Sequence, residues 1–184
     1  MQKSLLLFSL FIPLMVLSQN FKGALLLGIT ASEISGDQLA GPNKAGPVFG
    51  LLITHPIQDA FSFETGLTYV QKGSRKNPHP TKGDYSKYVL RINCIEMPLL
   101  LNYEYKPNLF FEAGPTFSYI FSYKEMDENG EISRLSSMPS FKKYELSLML
   151  GVSLHSNEKN IFSFRYSNSL TAVRAHSSQA SYLL

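Results

Sequence analysis

The sequence contains a single cysteine, little net charge and, after its first twenty residues, no long apolar run. Cys94 alone cannot form an internal disulfide or a cysteine-only metal site, and we interpret it as a small apolar core residue. The absence of a second apolar run argues against a transmembrane helix in the rest of the chain. The formal net charge is +3 and the basic residues form no stripe, so no feature indicates nucleic-acid binding.

The N-terminal residues predict export. A basic residue, Lys3, precedes an apolar run at 5–17 and then small residues typical of a cleavage site. This arrangement is that of a secretory signal peptide. A retained membrane anchor is the weaker alternative, because the run is short for a helical span and contains Pro13. We predict a signal peptide at 1–18 and one domain at 19–184.

Alternation of side-chain type is the strongest structural signal. In the stretch NLFFEAGPTFSYIFSYK, at 108–124, apolar and aromatic residues take the odd positions, whereas the even positions are mostly small or polar. Successive side chains of a β-strand point to opposite faces, so this stretch is predicted to be a strand. In the segment 87–105 the alternation changes phase near Cys94, which predicts a β-bulge there. Seven strands are predicted, at about 22–31, 45–54, 60–72, 87–105, 109–124, 141–155 and 161–171.

The connections between these segments alternate in length. The short ones are at 55–59, 106–108 and 156–160, and the long ones are at 32–44, 73–86 and 125–140. Membrane barrels of the bacterial outer membrane have short periplasmic turns and long extracellular loops. The alternation therefore favours a membrane barrel over a soluble meander.

Lysines and aromatic residues are also distributed as in a membrane barrel. Past residue 18, every lysine lies in a predicted loop or at a predicted strand end, whereas a soluble barrel normally carries lysines along its outer face. Aromatic residues lie near strand ends in two bands, which matches the interfacial girdles of membrane barrels. The predicted girdle residues are Phe61, Tyr105, Phe111 and Phe162 by the short turns, and Tyr69, Tyr88, Tyr123 and Tyr144 by the long loops. The apolar face is therefore predicted to point outward into lipid.

Four segments resemble one family of membrane proteins. In order along the chain, GLTYVQKGSR, IEMPLLLNY, FFEAGPTFSY and FSFRYSNSL are similar to signatures of PorT-like and porin-family outer-membrane β-barrel domains of Gram-negative bacteria. The resemblance covers most of the mature chain and implies an all-β, antiparallel, up-and-down transmembrane barrel of about eight strands. It implies location in the outer membrane, and some relatives serve protein secretion. It supplies no shared catalytic residue, and a barrel of this size has an interior just wide enough for side chains.

The parity that faces inward collects acidic residues and arginine. Counting residues up from the short turns places Glu64, Glu112 and Arg165 at similar depth. We predict a buried ion-pair layer that plugs the lumen, because arginine can bind two carboxylates and unpaired charge there would be costly. A cation-selecting ring with excess acid is the alternative. The further members of the predicted layer are Glu96, Glu104, Glu145 and Arg91.

Residues for catalysis or metal binding are sparse. His155-Ser156 lies at a short turn, and His176-Ser177-Ser178 resembles the His-x-Ser pair of outer-membrane lipid A deacylases, in which histidine activates a hydroxyl. The histidines lack metal-ligand spacing, and Asp127-Glu128-Asn129-Gly130 is too short for a calcium loop and is predicted to be a turn. We expect no cofactor, no metal and no enzymatic activity, with a lipid-modifying hydrolase as the third hypothesis.

Together these features predict a small outer-membrane barrel with a plugged polar lumen. Its expected role is structural or interactive, presenting extracellular loops in a secretion or surface assembly. The alternative is an exported soluble barrel of lipocalin type, with the aromatic parity inward around an apolar ligand. The expected partners are outer-membrane lipid and proteins bound through the loops. Seven strands cannot close an antiparallel barrel, so 182–184 are expected to begin an eighth strand beside the first, with the natural sequence continuing.

Overall fold

The computed structural model describes residues 20–33, 43–78, 81, 83–132, 141–157 and 159–171. The strands are β1 (Lys22–Ser32), β2 (Lys44–Gln58), β3 (Phe61–Lys76), β4 (Tyr88–Lys106), β5 (Leu109–Asp127), β6 (Gly130–Glu131), β7 (Tyr144–His155) and β8 (Ile161–Ser169). The seven long strands confirm the seven that the alternation predicted. Within the described ranges, no helix is long and apolar enough to cross a membrane. The predicted signal peptide at 1–18 and the predicted strand start at 182–184 lie outside the described residues.

Two strands extend further toward the long loops than predicted. β3 ends at Lys76 rather than near 72, because its last residues pair with the first residues of β4. β5 ends at Asp127, where it pairs with the two-residue strand β6. Between β5 and β6, the backbone amide of Asn129 donates a hydrogen bond to Asp127 Oδ1 at 2.8 Å. The predicted turn at 127–130 is therefore confirmed as the tip of a small hairpin.

The long strands form one antiparallel sheet that curves into an open barrel. The order is β1-β2-β3-β4-β5-β7-β8, so each long strand pairs with its neighbours in the chain. Arg165 on β8 lies 2.6 Å from Glu64 on β3, although three strands separate β8 from β3 in the sheet. Only strong curvature can bring these strands together. In the described part of the chain no ladder joins β1 to β8, and these two strands are the edges of the sheet.

Tight turns lie at one end of the barrel. β2 and β3 are joined by Asp59 and Ala60, and β4 and β5 by Pro107 and Asn108. Asp59 and Asn108 have positive φ angles of 28° and 71°, which Asn and Asp tolerate better than most residues. β7 and β8 are joined at the same end by 156–160. The strand ends that the longer connections join lie at the opposite end, which confirms the predicted rhythm of short turns and long loops.

The apolar side chains lie on the outer face, and small polar side chains lie on the inner face. On β5, Phe117 and Tyr119 are 46% and 41% exposed, whereas Thr116 and Ser118 are 0% and 3% exposed. The apolar parity is thus the outer one, as predicted. A lipocalin-like barrel requires this parity to face inward around a ligand, so that alternative is wrong for this fold.

The β-bulge predicted within the segment 87–105 is found opposite Asn93 and Cys94, but its extra residue belongs to the neighbouring strand β5. Asn93 pairs with Ser122, but Cys94 pairs with Ile120, so Phe121 of β5 has no partner on β4. The even residues of β4 remain inward along the whole strand. The bulge therefore changes the facing of β5 and not that of β4: beyond Phe121, the even residues of β5 point outward.

An apolar cluster fills the interior near the long loops. Its buried members are Leu90, Ile92, Cys94, Ile120 and Phe141. Tyr88 and Tyr123 pack against this cluster, and the ring centroids of Tyr123 and Phe141 are 4.7 Å apart. The prediction that both tyrosines belong to the outer girdle is therefore wrong. Tyr88 shares the inward parity of β4, and the bulge turns Tyr123 inward.

Candidate functional site in the barrel lumen

The first group of charged residues in the lumen is centred on Arg165 of β8. Its Nε lies 2.6 Å from Glu112 Oε2, and its Nη2 lies 2.6 Å from Glu64 Oε1. The side chains of Arg165, Glu64 and Glu112 are 15%, 10% and 2% exposed. Charge-assisted hydrogen bonds of this length, shielded from water, hold β3, β5 and β8 together across the lumen. We call these three residues the lower group.

Local sequence makes room for the lower group. Phe164 and Tyr166 point outward on either side of Arg165, so the arginine must point inward. Gly151 on β7 lies beneath the ion pair: a Cβ there would stand 2.8 Å from Glu112 Oε2 and 3.1 Å from Arg165 Cγ. A side chain at position 151 would therefore displace the contact between the two charged groups.

A second charged group lies closer to the long loops and is centred on Lys72 of β3. Its Nζ lies 2.5 Å from Glu96 Oε1 and 3.4 Å from Glu145 Oε2. Ser118 Oγ donates a hydrogen bond to Glu96 Oε1 at 3.1 Å. We call Lys72, Glu96 and Glu145 the upper group. Lys72 was predicted to lie at a strand end, but β3 continues to Lys76, and Lys72 therefore lies inside the lumen.

Tightly buried residues separate the two groups. On β5 and β7, the inward positions between them include Thr116 and Ser147, both 0% exposed, and Met149 at 9%. Leu100 of β4 is also 0% exposed. Along β7 from the short turns upward, the lumen therefore holds the lower group, a packed layer and then Glu145 of the upper group. On β3 and β4, Leu100 lies directly opposite Glu64, and Lys72 lies directly opposite Ile92 of the apolar cluster.

Comparison with known proteins identifies the architecture. A family model described as "Outer membrane protein beta-barrel domain" matches residues 17–174, which is most of the chain. The chain belongs to this outer-membrane β-barrel family. Searches of curated proteins and of solved structures found no match. The exposed apolar band of this outer-membrane barrel is therefore its lipid-facing surface.

Two residues predicted for the lumen layer of the outer-membrane barrel lie elsewhere. Arg91 is exposed on the outer face, because odd residues of β4 point outward. Glu104 lies at the short-turn end, where its Oε1 accepts the backbone amide of Asn108 at 3.3 Å. Neither prediction is correct: parity excludes Arg91, and depth separates Glu104 from the lower group.

Outward aromatic residues of the barrel cluster near both ends of the strands. Near the short turns, Phe61 contacts Tyr103 and Tyr105 contacts Phe111, with ring centroids 5.1 and 5.8 Å apart. Phe162 is 67% exposed at the same end. Near the long loops, the contacts are between Phe49 and Tyr69 at 4.7 Å, and between Tyr119 and Tyr144 at 5.5 Å. Phe49, Tyr103 and Tyr119 were not predicted as girdle residues. Tyr103 and Tyr119 lie further from the strand ends than the predicted Tyr105 and Tyr123, and no residue of β2 was predicted.

His155, which was considered for catalysis, packs against an aromatic ring. The ring of His155 stacks on Phe110 with centroids 4.2 Å apart, and the amide of Ser156 donates to the carbonyl of Asn160. The motif at 176–178 lies outside the described residues. Within the described ranges, no group of three or more His, Cys, Asp or Glu side chains could hold a metal ion.

Proposed function

We propose that this outer-membrane barrel has a structural and interaction role, with a lumen plugged by ion pairs and loops presented to a protein partner. The observation that carries this proposal is the pair of charged groups across the lumen. Arg165 links β8 to β3 and β5, and Lys72 links β3 to β4 and β7. Side chains that join non-adjacent strands in this way fill a narrow interior. The outer surface and the loops are then the parts of the barrel that can bind a partner.

The pairing of the acidic residues argues against ion selection. A cation-selecting ring needs carboxylates that are free to replace the water around a passing ion. Here Glu64 and Glu112 bind Arg165, and Glu96 and Glu145 bind Lys72. We therefore propose a role without ion transport, and we propose no catalytic activity.

The long loop between β3 and β4 carries an exposed aromatic side chain. Tyr85 is 71% exposed, and the residue before it, Asp84, is fixed by Lys76 at 2.9 Å and by the amide and hydroxyl of Ser86 at 3.0 and 2.5 Å. The hydrogen bonds from Ser86, together with that from Lys76, lower the pKa of Asp84 below its usual range. Exposed tyrosines held on an ordered backbone are frequent anchors of protein interfaces. Tyr85 is therefore the contact that we propose for a partner in a secretion or surface assembly.

Electrical recording tests the plugged lumen. The full chain is refolded into a planar lipid bilayer, and a heat-dependent shift in gel migration checks that it has folded. The proposal predicts no stable conductance steps. Regular steps with cation selectivity that vanish in Glu96→Gln would contradict it and would favour the acidic ring.

Site-specific crosslinking in intact cells tests the interaction role. A photoreactive side chain replaces Tyr85 in one strain and Lys159, which is exposed on a short turn, in the control strain. We expect a single crosslinked species of defined mass from position 85 and none of that mass from position 159. The same adducts from both positions, or none from position 85, would argue against a partner bound through this loop.

A further inference from the structure

The outer face of β3, β4 and β5 changes character in steps toward the long loops. Cross-strand pairs on this face define the levels, since directly opposite residues share a face. Upward from the apolar band, the levels are Tyr69 with Ile95, then Gln71 with Asn93, then Gly73 with Arg91. Apolar, aromatic, amide and basic side chains thus follow one another in the order in which a membrane changes from hydrocarbon to headgroup.

Three basic residues lie at or just above the last of these levels. Arg91 is directly opposite Lys124 of β5, and Arg75 lies two residues beyond Gly73, the partner of Arg91 on β3. All three side chains are exposed. We call Arg75, Arg91 and Lys124 the basic rim.

The β-bulge creates this cluster. Before Phe121, the even residues of β5 point into the lumen, so a regular strand would have pointed Lys124 inward. The extra residue reverses the facing, which moves Tyr123 into the apolar cluster and Lys124 to the outer face beside Arg91. Bulges are a common means of redirecting a side chain.

The charges of the basic rim are weakly compensated. Arg75 Nε donates to the neutral side chain of Asn77 at 2.8 Å. Lys124 lies 3.5 Å from Glu131, but both side chains are more than half exposed, and such pairs contribute little. Among the described residues, Arg91 makes no ion pair. Three positive charges therefore face outward, and the carboxylate that pairs with them, Glu131, is itself more than half exposed.

The height of the basic rim matches a lipid headgroup. Arg91 lies four residues along β4 from Ile95, the partner of Tyr69 in the girdle. At about 3.3 Å per residue and a strand tilt of about 40°, Arg91 lies about 10 Å above the girdle. A phosphate on a lipid whose acyl chains contact the apolar band would be found at this level.

We propose that Arg75, Arg91 and Lys124 form a binding site for the phosphate-bearing headgroup of an outer-leaflet lipid. The two arginines can each bind phosphate oxygens through a forked pair of N–H groups, and Lys124 adds a third charge. Below them, Asn93 accepts hydrogen bonds from Tyr69 at 2.9 Å and Gln71 at 3.1 Å, forming a polar step beneath the headgroup. This site rests on the proposed function in one respect, which is that the long loops of the barrel face the outside of the cell.

The test measures lipid binding to the folded full chain in detergent. Bisphosphorylated lipid A is titrated against the chain, and bound lipid is counted by native mass spectrometry. Changing Arg75, Arg91 and Lys124 together to Gln should weaken binding roughly 100-fold, and Arg91→Gln alone roughly fivefold, since each charge near an anionic headgroup contributes about one factor of five. Phosphatidylcholine, which carries no net charge, should bind the wild type and the variants equally.

A matched control removes the same number of charges from the opposite end. Changing Lys22, Lys106 and Lys159 to Gln should leave lipid A binding unchanged. Equal losses in both triple variants, or undiminished binding by the basic-rim variant, would overturn the site. If inorganic phosphate alone displaced the lipid at matched ionic strength, the occupant would be free phosphate and the lipid assignment would be wrong. Because no partner protein or conductance enters this test, its result is independent of the proposed interaction role.

Discussion

The lower and upper groups in the lumen each pair two buried carboxylates with one cation, but the cation is arginine in one and lysine in the other. In the lower group, Arg165 binds Glu64 and Glu112 at equal distances of 2.6 Å. In the upper group, Lys72 binds Glu96 at 2.5 Å but Glu145 only at 3.4 Å. A planar guanidinium can serve two carboxylates in fixed directions, whereas an ammonium is a single point charge. The comparison teaches that the lower group should be the stronger link between strands.

Removing the arginine should produce the largest effect. Arg165→Met leaves two buried carboxylates without a cation, which should lower the free energy of unfolding by about 3–5 kcal/mol. Urea unfolding of the chain from lipid vesicles measures the loss. Adding Glu112→Gln should restore part of it, and simple additivity of the two substitutions would show that Arg165 and Glu112 do not interact.

Removing the lysine should cost less and should separate its two partners. Lys72→Met should lower the free energy of unfolding by about 2–3 kcal/mol, because the ammonium makes only one short contact. A second substitution, Glu96→Gln, should recover more of this loss than Glu145→Gln does. If both substitutions restored the same free energy of unfolding, Lys72 would interact equally with its two carboxylates, as Arg165 does. The contrast between the two groups would then disappear.

Crowding the lower group should produce a smaller effect. Gly151→Ala forces Glu112 or Arg165 to shift, with an expected cost of about 1–2 kcal/mol in the same unfolding assay. Gly23→Ala is the matched control, since a Cβ there meets nothing within 4 Å. If both substitutions had the same effect, the close approach at position 151 would have no energetic role.

The exposed ion pair in the loop should show the smallest effect, in contrast to both lumen groups. The pKa of Asp84 is lowered by hydrogen bonds from Ser86 and Lys76, so its contribution to loop order is present above the usual aspartate pKa. This contribution should be lost as the pH falls below about 4, toward the lowered pKa. Hydrogen exchange of the Ser86 amide should report the change, and Asp84→Asn should show faster exchange already at neutral pH. Global unfolding should be unaffected, and a large global loss would place this pair among the core interactions.

The lower group could be placed from the sequence because it depends only on parity and depth. Strict alternation on β3, β5 and β8 fixes which residues face inward, and the short turns supply a common origin for counting. The three residues of the lower group all lie within a few residues of such turns, near the starts of β3, β5 and β8. The barrel architecture could be predicted for the same reason.

The two carboxylates of the upper group, Glu96 and Glu145, were predicted to face the lumen, but their cation could not be placed because its position depends on where β3 ends at the long loops. Lys72 was assigned to a strand end, and only pairing with β4 shows that β3 continues to Lys76. The bulge at Phe121 is also a property of two strands together. Alternation within one segment assigned it to β4, where apolar residues change from the outward to the inward positions near the loops while the strand keeps its facing. Tyr123 was misplaced as a consequence. Local patterns therefore predicted the half of the barrel near the tight turns better than the half near the loops.

Tryptophan fluorescence can test directly whether the apolar parity faces lipid and the polar parity faces a filled lumen. The chain contains no tryptophan, so a single introduced tryptophan reports its own environment. Leu150, 50% exposed, and Met149, 9% exposed, are neighbours on β7 at nearly the same depth. In vesicles of brominated lipid, Leu150→Trp should be strongly quenched and Met149→Trp only weakly, with heat-dependent gel migration checking the fold of both. Stronger quenching of Met149→Trp than of Leu150→Trp would contradict the account.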